Sequence, residues 1–286
     1  MIKILLGGIA RATLYSIATS LIIVALLFVL FSQFHIDTGS ESSPLERFIQ
    51  ENENLPKACV IYLLKYASLQ NFELNITSYR AGHGTFARHL LSTTKLVSAT
   101  ILFLFSIIMI ISANRIMRKK SRNMLGSILS SLSTIHTLIF LAALIVILKV
   151  FDVPFWLFVV VIVFSNNIFK EFYIDLNSEI DRILSEKYVQ RAVAWGRSRF
   201  TYALPEIIIT FSRKISSKFP LLLSSTFIIE YYNPKNAGLA NDLLTGIAKH
   251  DYFLVMSVTG VLVFVTTWIY NLGRIPERIL DPRSQG

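Results

Sequence analysis

The chain has one cysteine, Cys59, among 286 residues. A lone thiol excludes an intramolecular disulfide and a thiolate metal cluster, and leaves a packed or surface role. Charge is scarce as well: 16% of residues are Asp, Glu, Lys or Arg, against about 25% in soluble domains. The phosphate loop G-x-x-x-x-G-K-[ST] occurs nowhere, so the chain cannot hold ATP by that route. H-E-x-x-H and G-x-S-x-G are missing too, which removes two common hydrolase patterns. Of His35, His83, His89, His136 and His250, only His83 and His89 are near in sequence. Their spacing is not a good helical pair for a metal. The net charge of +10 comes without zinc-finger spacing or aromatic–basic interleaving, so nucleic acid is not implied.

What the chain has is apolar length. Hydrophobic residues make up 53% of it, and its mean hydropathy is +0.56. An α-helix needs roughly 20 apolar residues to cross a bilayer. Six stretches qualify: Ala12–Phe34, Lys95–Ala113, Ile128–Val150, Pro154–Phe169, Ile207–Ile229 and Tyr252–Leu272. The fourth is short. The fifth carries Arg213, Lys214, Lys218 and Pro220, which weaken it. The first is too long for a signal-peptide core and has no obvious cleavage site, so it reads as a retained anchor. In lipid every backbone group must be paired internally, and nothing here alternates like a membrane barrel. The expectation is an all-α membrane protein with about six transmembrane helices.

Orientation follows from short-loop cations. The loop after span two holds Arg115, Arg118, Lys119, Lys120 and Arg122 with no acid. It is therefore placed inside, where it faces anionic lipid. Both termini then lie inside, residues 170–205 inside, and 231–250 outside. The division expected is 1–34 for the N-terminus and first span, 35–94 for an external segment, and 95–286 for a core of five spans. Within 35–94, "LPKACVIYLLKYASL" is apolar enough for a short helix against the membrane or the bundle.

The 170–205 loop carries a pattern of its own. Phe172, Leu176, Ile180 and then Ile183 or Leu184 share one helix face opposite charges. "YVQRAVAWG" follows, at residues 188–196, with Ala192 and Gly196 at helical spacing. Such a small face lets another backbone approach closely. The plainer reading is a helix lying on lipid. Inside the spans, an ionisable group usually marks a pathway. Lys218, near the middle of span five, is the first candidate, with a pairing role inside the bundle as its alternative. Arg213 and Lys214 are nearer the cytoplasmic end, where they can snorkel. His136 and Thr134 are weaker candidates, and Ser224, Ser225 and Thr226 suit close helix packing.

In order along the chain, these features resemble the first permease type of bacterial ABC importers for dipeptides, oligopeptides and nickel. The cytoplasmic EAA loop of that branch runs Y-V-x-x-A-x-A-x-G, matched here by Tyr188, Val189, Ala192, Ala194 and Gly196. Gln190 and Arg191 stand where the motif has its glutamate and first alanine. "GLANDLLTGIAKHDYF" is similar to the family's external segment through Gly238, Leu239, Asp251 and Tyr252, with Glu230 matching a glutamate just before it. "ILDPR" at Ile279–Arg283 resembles the family's C-terminal L-D-P-R, and "SYRAGHGTFARHLLSTTKLV" its approach to span two. The P-G-D-P element after span one is replaced by "FHIDTGSESSP", so the substrate is not inherited with the family name.

The resemblance implies a type I ABC-importer permease fold in the bacterial inner membrane, forming half of a pore for peptides or a similar small solute. Tyr188, Val189, Gln190, Arg191, Ala192, Ala194 and Gly196 would then form the coupling helix. The chain itself would bind no cofactor and catalyse nothing. ATP and magnesium would sit in one or two separate ATPase subunits. A second permease and an external substrate-binding protein would complete the assembly. Lys218, Arg213, His136 and Glu230 would be the pathway residues. Two other classes compete: a stand-alone channel or secondary transporter, for which no convincing internal repeat is visible, and a membrane scaffold that recruits a partner without ATPase activity.

Overall fold

A chain this apolar pairs its backbone within helices. The structure, a computed structural model, describes residues 2–33, 44–52, 54–68, 86–118, 124–148, 154–232 and 238–276. Among them are twelve helices and no strand: α1 (Ile2–Ser32), α2 (Pro44–Glu51), α3 (Leu55–Ala67), α4 (Phe86–Arg118), α5 (Met124–Leu132), α6 (Thr137–Leu148), α7 (Phe155–Val163), α8 (Ile168–Ser185), α9 (Lys187–Ala194), α10 (Arg199–Tyr232), α11 (Leu239–Ala248) and α12 (Tyr252–Leu272). His35, His83, the basic run Lys119, Lys120 and Arg122, and the Ile279–Arg283 segment lie outside the described residues.

Of the expected six spans, length and apolarity support a smaller number. Among the described residues, three helices are long and apolar enough to cross a membrane, within α1, α4 and α12, or up to five if each of two bent pairs is one span. Span three is broken into α5 and α6, bent by 102°. Span four, Pro154–Phe169, ends at a second break, where α8 follows α7 at a bend of 55°. Span five lies inside α10, a 34-residue helix that continues through Pro205 and Pro220, and its charges keep it below that apolarity.

The two breaks supply each other's hydrogen bonds. Asn166 and Asn167 end α7 with φ of 51° and 61°, the left-handed region that asparagine tolerates better than most residues. The Asn166 N–H donates to the Ile135 carbonyl at 3.0 Å and the Asn167 N–H to that of Ser133 at 2.6 Å. The Asn166 amide donates to Thr137 Oγ1 at 2.8 Å and to Ser225 Oγ at 2.9 Å. Ser225 thus does more than allow close packing, because it receives a donor from a helix break.

The chain divides into two compact units. The first comprises Met1–Ile9, Thr94–Ile229 and Ile269–Gly286. Its core takes Leu104 from α4, Phe158 from α7, Phe172 and Leu176 from α8, and Phe211 and Leu222 from α10. The amphipathic helix read from the sequence is α8. Of its predicted face, Phe172, Leu176, Ile180 and Ile183 are at most 2% exposed, while the alternative Leu184 is half-buried. That face is buried in the protein. Gly126 of α5 meets α8 closely, since a Cβ there would lie 2.4 Å from the Tyr173 ring.

The second unit comprises Ala10–Thr93 and Glu230–Trp268. Its core joins Val24 and Phe28 of α1, Ala58, Tyr62 and Tyr66 of α3, and Met256 of α12. The expected helix within 35–94 is therefore α3, packed on neighbouring helices. Ser20 Oγ donates to the Gly260 carbonyl at 2.8 Å and pairs with the Tyr66 hydroxyl at 3.0 Å. A Cβ at Gly260 would come within 2.4 Å of the Tyr66 hydroxyl and 2.6 Å of Val24. Gly260→Val is expected to lower stability by about 1–3 kcal/mol, the usual cost of overpacking, read as a lower Tm of the detergent-solubilised chain. A wild-type Tm would show that the small residue is not needed for this approach.

Candidate functional site

The candidate site is built on the end of α8. That helix stops at Ser185, and Glu186, in an extended conformation, turns the chain into α9. The Glu186 carbonyl accepts the N–H groups of Val189 and Gln190, both at 3.1 Å. Gln190 Nε2 reaches back to the Ser185 carbonyl at 3.2 Å. A glutamate at that position has no hydrogen to donate, so the amide is what closes this link.

The far end of α9 is closed by Gly196. The Gly196 N–H donates to Val193 and the Arg197 N–H to Ala192, at 3.0 and 3.1 Å. This is a Schellman stop, in which the residue after the cap takes a left-handed conformation. Gly196 does so with φ of 79°. The expectation that Ala192 and Gly196 form one small helical face is corrected here. Gly196 lies beyond the helix, and Ala192 turns inward with Val189, at 8% and 1% exposure.

The outward surface has a different character. Lys187, Tyr188, Gln190, Arg191, Ala194, Trp195, Gly196 and Arg197 are exposed. Trp195 is 81% exposed, unusual for so large an apolar ring. Tyr188 packs edge-on to Tyr202, with ring centroids 6.3 Å apart, and Arg197 donates to the Tyr202 hydroxyl at 3.2 Å. The surface therefore joins two aromatic rings to cations. Trp195 was not singled out in the sequence; its one signal was a tryptophan at the end of a polar, basic helix.

The pathway candidates separate. Lys218 is not a lone charge. Its Nζ lies 2.6 Å from Glu171 Oε2. Lys214 pairs with Asp175 and lies 3.4 Å from Glu171. These four groups form a ladder between α8 and α10. Further along α8, Arg115 of α4 makes two hydrogen bonds to Asp181, at 2.8 and 2.6 Å. The sequence carried the signal as two matching intervals, acids at 171 and 175 and lysines at 214 and 218. Each pair of residues four apart shares a helix face.

His136 sits at the start of α6, exposed, and its Nδ1 accepts the Leu138 N–H at 3.4 Å. That is an end-capping position. Thr134 Oγ1 bonds the Ser131 carbonyl within its own turn. Arg213 is exposed on α10. Glu230 belongs to the second unit, where it is 2% exposed beside Thr93. Lys218 and Glu230 thus fall in different units. Among the described residues no group of three or more His, Cys, Asp or Glu side chains is placed to hold a metal ion. No protein-family model, curated protein or solved structure matches the chain.

Proposed function

We propose that the chain is a permease subunit of an ABC importer, with α9 docking on a separate ATPase subunit. What supports this reading is one surface: a short helix, stopped by Gly196, that turns Tyr188, Arg191, Trp195 and Arg197 outward in the segment resembling the EAA loop. Its cations suit a partner groove lined by carboxylates, and its rings suit a pocket that excludes water. ATP and magnesium belong to that partner, so the chain binds, orients and moves but does not hydrolyse. Closure of the partner would push α9, α9 is bonded back to α8, and α8 is tied to α10 by Lys214 and Lys218. ATP binding would then shift the pore between its inward- and outward-open populations. A second permease, an external binding protein, a peptide-like solute and the bacterial inner membrane complete the proposal.

A mild-detergent pull-down of the tagged chain from its native host tests it. P-loop ATPases and a second multi-span permease are the expected partners. The chain recovered alone, under conditions that hold a control ABC complex together, would favour the channel or scaffold instead. Arg191→Glu/Arg197→Glu is expected to lose the ATPase at least tenfold while the chain stays in the membrane, because like charges across an interface repel. Undiminished recovery would mean that this face does not dock.

A further inference from the structure

Four polar side chains are packed away from solvent in the second unit. His89 and Thr93 come from α4, Glu230 from the last turn of α10, and Asp242 from the first turn of α11; none is more than 3% exposed. Thr93 Oγ1 donates to Glu230 Oε1 at 2.6 Å and accepts the Leu239 N–H at 2.9 Å. The Ala240 N–H donates to Glu230 Oε2 at 3.2 Å. His89 Nδ1–H donates to Asp242 Oδ1 at 2.6 Å. Asp242 Oδ2 is buried with no hydrogen-bond partner. The chain entering α11 lies directly on the glutamate, since a Cβ at Gly238 would be 2.1 Å from its carboxyl carbon.

The charges in this corner do not balance when both acids are ionised. One imidazole can neutralise one carboxylate, and His89 is bonded to Asp242. Glu230 is then hydrogen-bonded only by the neutral donors Thr93 Oγ1 and the Ala240 N–H, with the imidazole engaged by Asp242, in a place that penalises an excess charge. A proton on Glu230 removes that excess. The groups facing it are His89 and Thr93 from α4, and Asp242 with the Leu239–Ala240 backbone from α11. We propose that Glu230 is a proton-binding site whose occupancy makes the seating of α11 on α4 and α10 depend on pH.

The titration runs the required way. Glu230 lies just past the last residue of the fifth apolar stretch. Burial raises its pKa from 4.5 to about 7, against the opposing pull of Thr93, Ala240 and His89, while Asp242 adds to the rise. A carboxyl raised above its unfolded value binds its proton more tightly in the fold. Its contribution is fully present below about pH 4.5 and is lost as pH rises through about 7. The inference does not depend on an ATPase partner.

The test is the Tm of the full chain in detergent, measured between about pH 5 and about pH 8.5. The wild type is expected to lose stability across this range. Glu230→Gln, which keeps the neutral shape, is expected to flatten the profile and to exceed the wild type at the alkaline end. Thr93→Val removes a donor that steadies the carboxylate, so it is expected to move the midpoint to higher pH. A Glu230→Gln profile parallel to the wild type would overturn the proposal. If Glu230→Gln does not fold, Thr93→Val decides: an unmoved or lowered midpoint also overturns it.

Discussion

Lys218→Met is expected to destabilise the chain by about 1–3 kcal/mol, and Lys218→Met/Glu171→Met to recover most of that loss. The magnitude lies between two limits. Removing one partner of a fully buried ion pair costs about 3–5 kcal/mol, because the other charge is stranded. Exposed pairs are worth about 0–1 kcal/mol. Lys218 and Glu171 are 29% and 33% exposed, and Glu171 keeps Lys214 at 3.4 Å as a second partner. The loss should therefore fall short of the buried limit. Recovery in the double variant is the informative part, since removing both charges leaves no unpaired group. Denaturant titration in detergent gives the stabilities. On the proposed transport reading, uptake of a labelled peptide by cells adds the functional arm. If Lys218 contacts a substrate carboxylate, the double variant stays as inactive as the single one even when its stability returns. If Lys218 only ties α10 to α8, uptake returns with stability.

Gly196→Trp is expected to leave the chain in the membrane and to abolish recovery of the ATPase. Space is not what limits this position, since a Cβ there meets nothing within 4 Å. Conformation is. A side chain at φ of 79° costs about 1–2 kcal/mol, which is enough to compete with the two hydrogen bonds that close the helix. When that stop opens, Trp195 and Arg197 leave their places on the outward face. Gly196→Asn separates this account from groove filling. Asparagine tolerates the left-handed region, so recovery of the ATPase should largely persist. Loss in both variants would point to the bulk of the side chain, and full recovery with tryptophan would sink the coupling-helix assignment.

Periodic burial was the legible part of the fold. The face of α8 was visible because an amphipathic helix repeats every 3.6 residues, and the predicted positions Phe172, Leu176, Ile180 and Ile183 are buried, together with Ile168 and Phe169 at its start. The broken spans were hidden because hydropathy sums side chains and is blind to backbone turns. Asn166-Asn167 and the polar run before Thr137 were the turn signals inside otherwise apolar stretches. Gly196 was misplaced for a related reason. Spacing of four suggests a shared helix face, but a glycine at the end of a basic helix is as often its stop. The partners of Lys218 were signalled by no more than matching intervals of four, because which helices pair depends on packing, which one sequence does not display. The same holds for His89 and Asp242, which meet across 153 positions.

The paired breaks set an order of events during synthesis. A break inside lipid leaves amide and carbonyl groups with no water to receive them. At the first break, the carbonyls of Ile135 and Ser133 accept from the Asn166 and Asn167 N–H groups. When the ribosome has released α5 and α6 alone, those partners do not yet exist. If both breaks lie inside lipid, the first half has no protein donors for these carbonyls until Asn166 and Asn167 have been made. A chain truncated before Asn166 should therefore be handled by the insertion machinery as a defective substrate, although its remaining helices are as apolar as before.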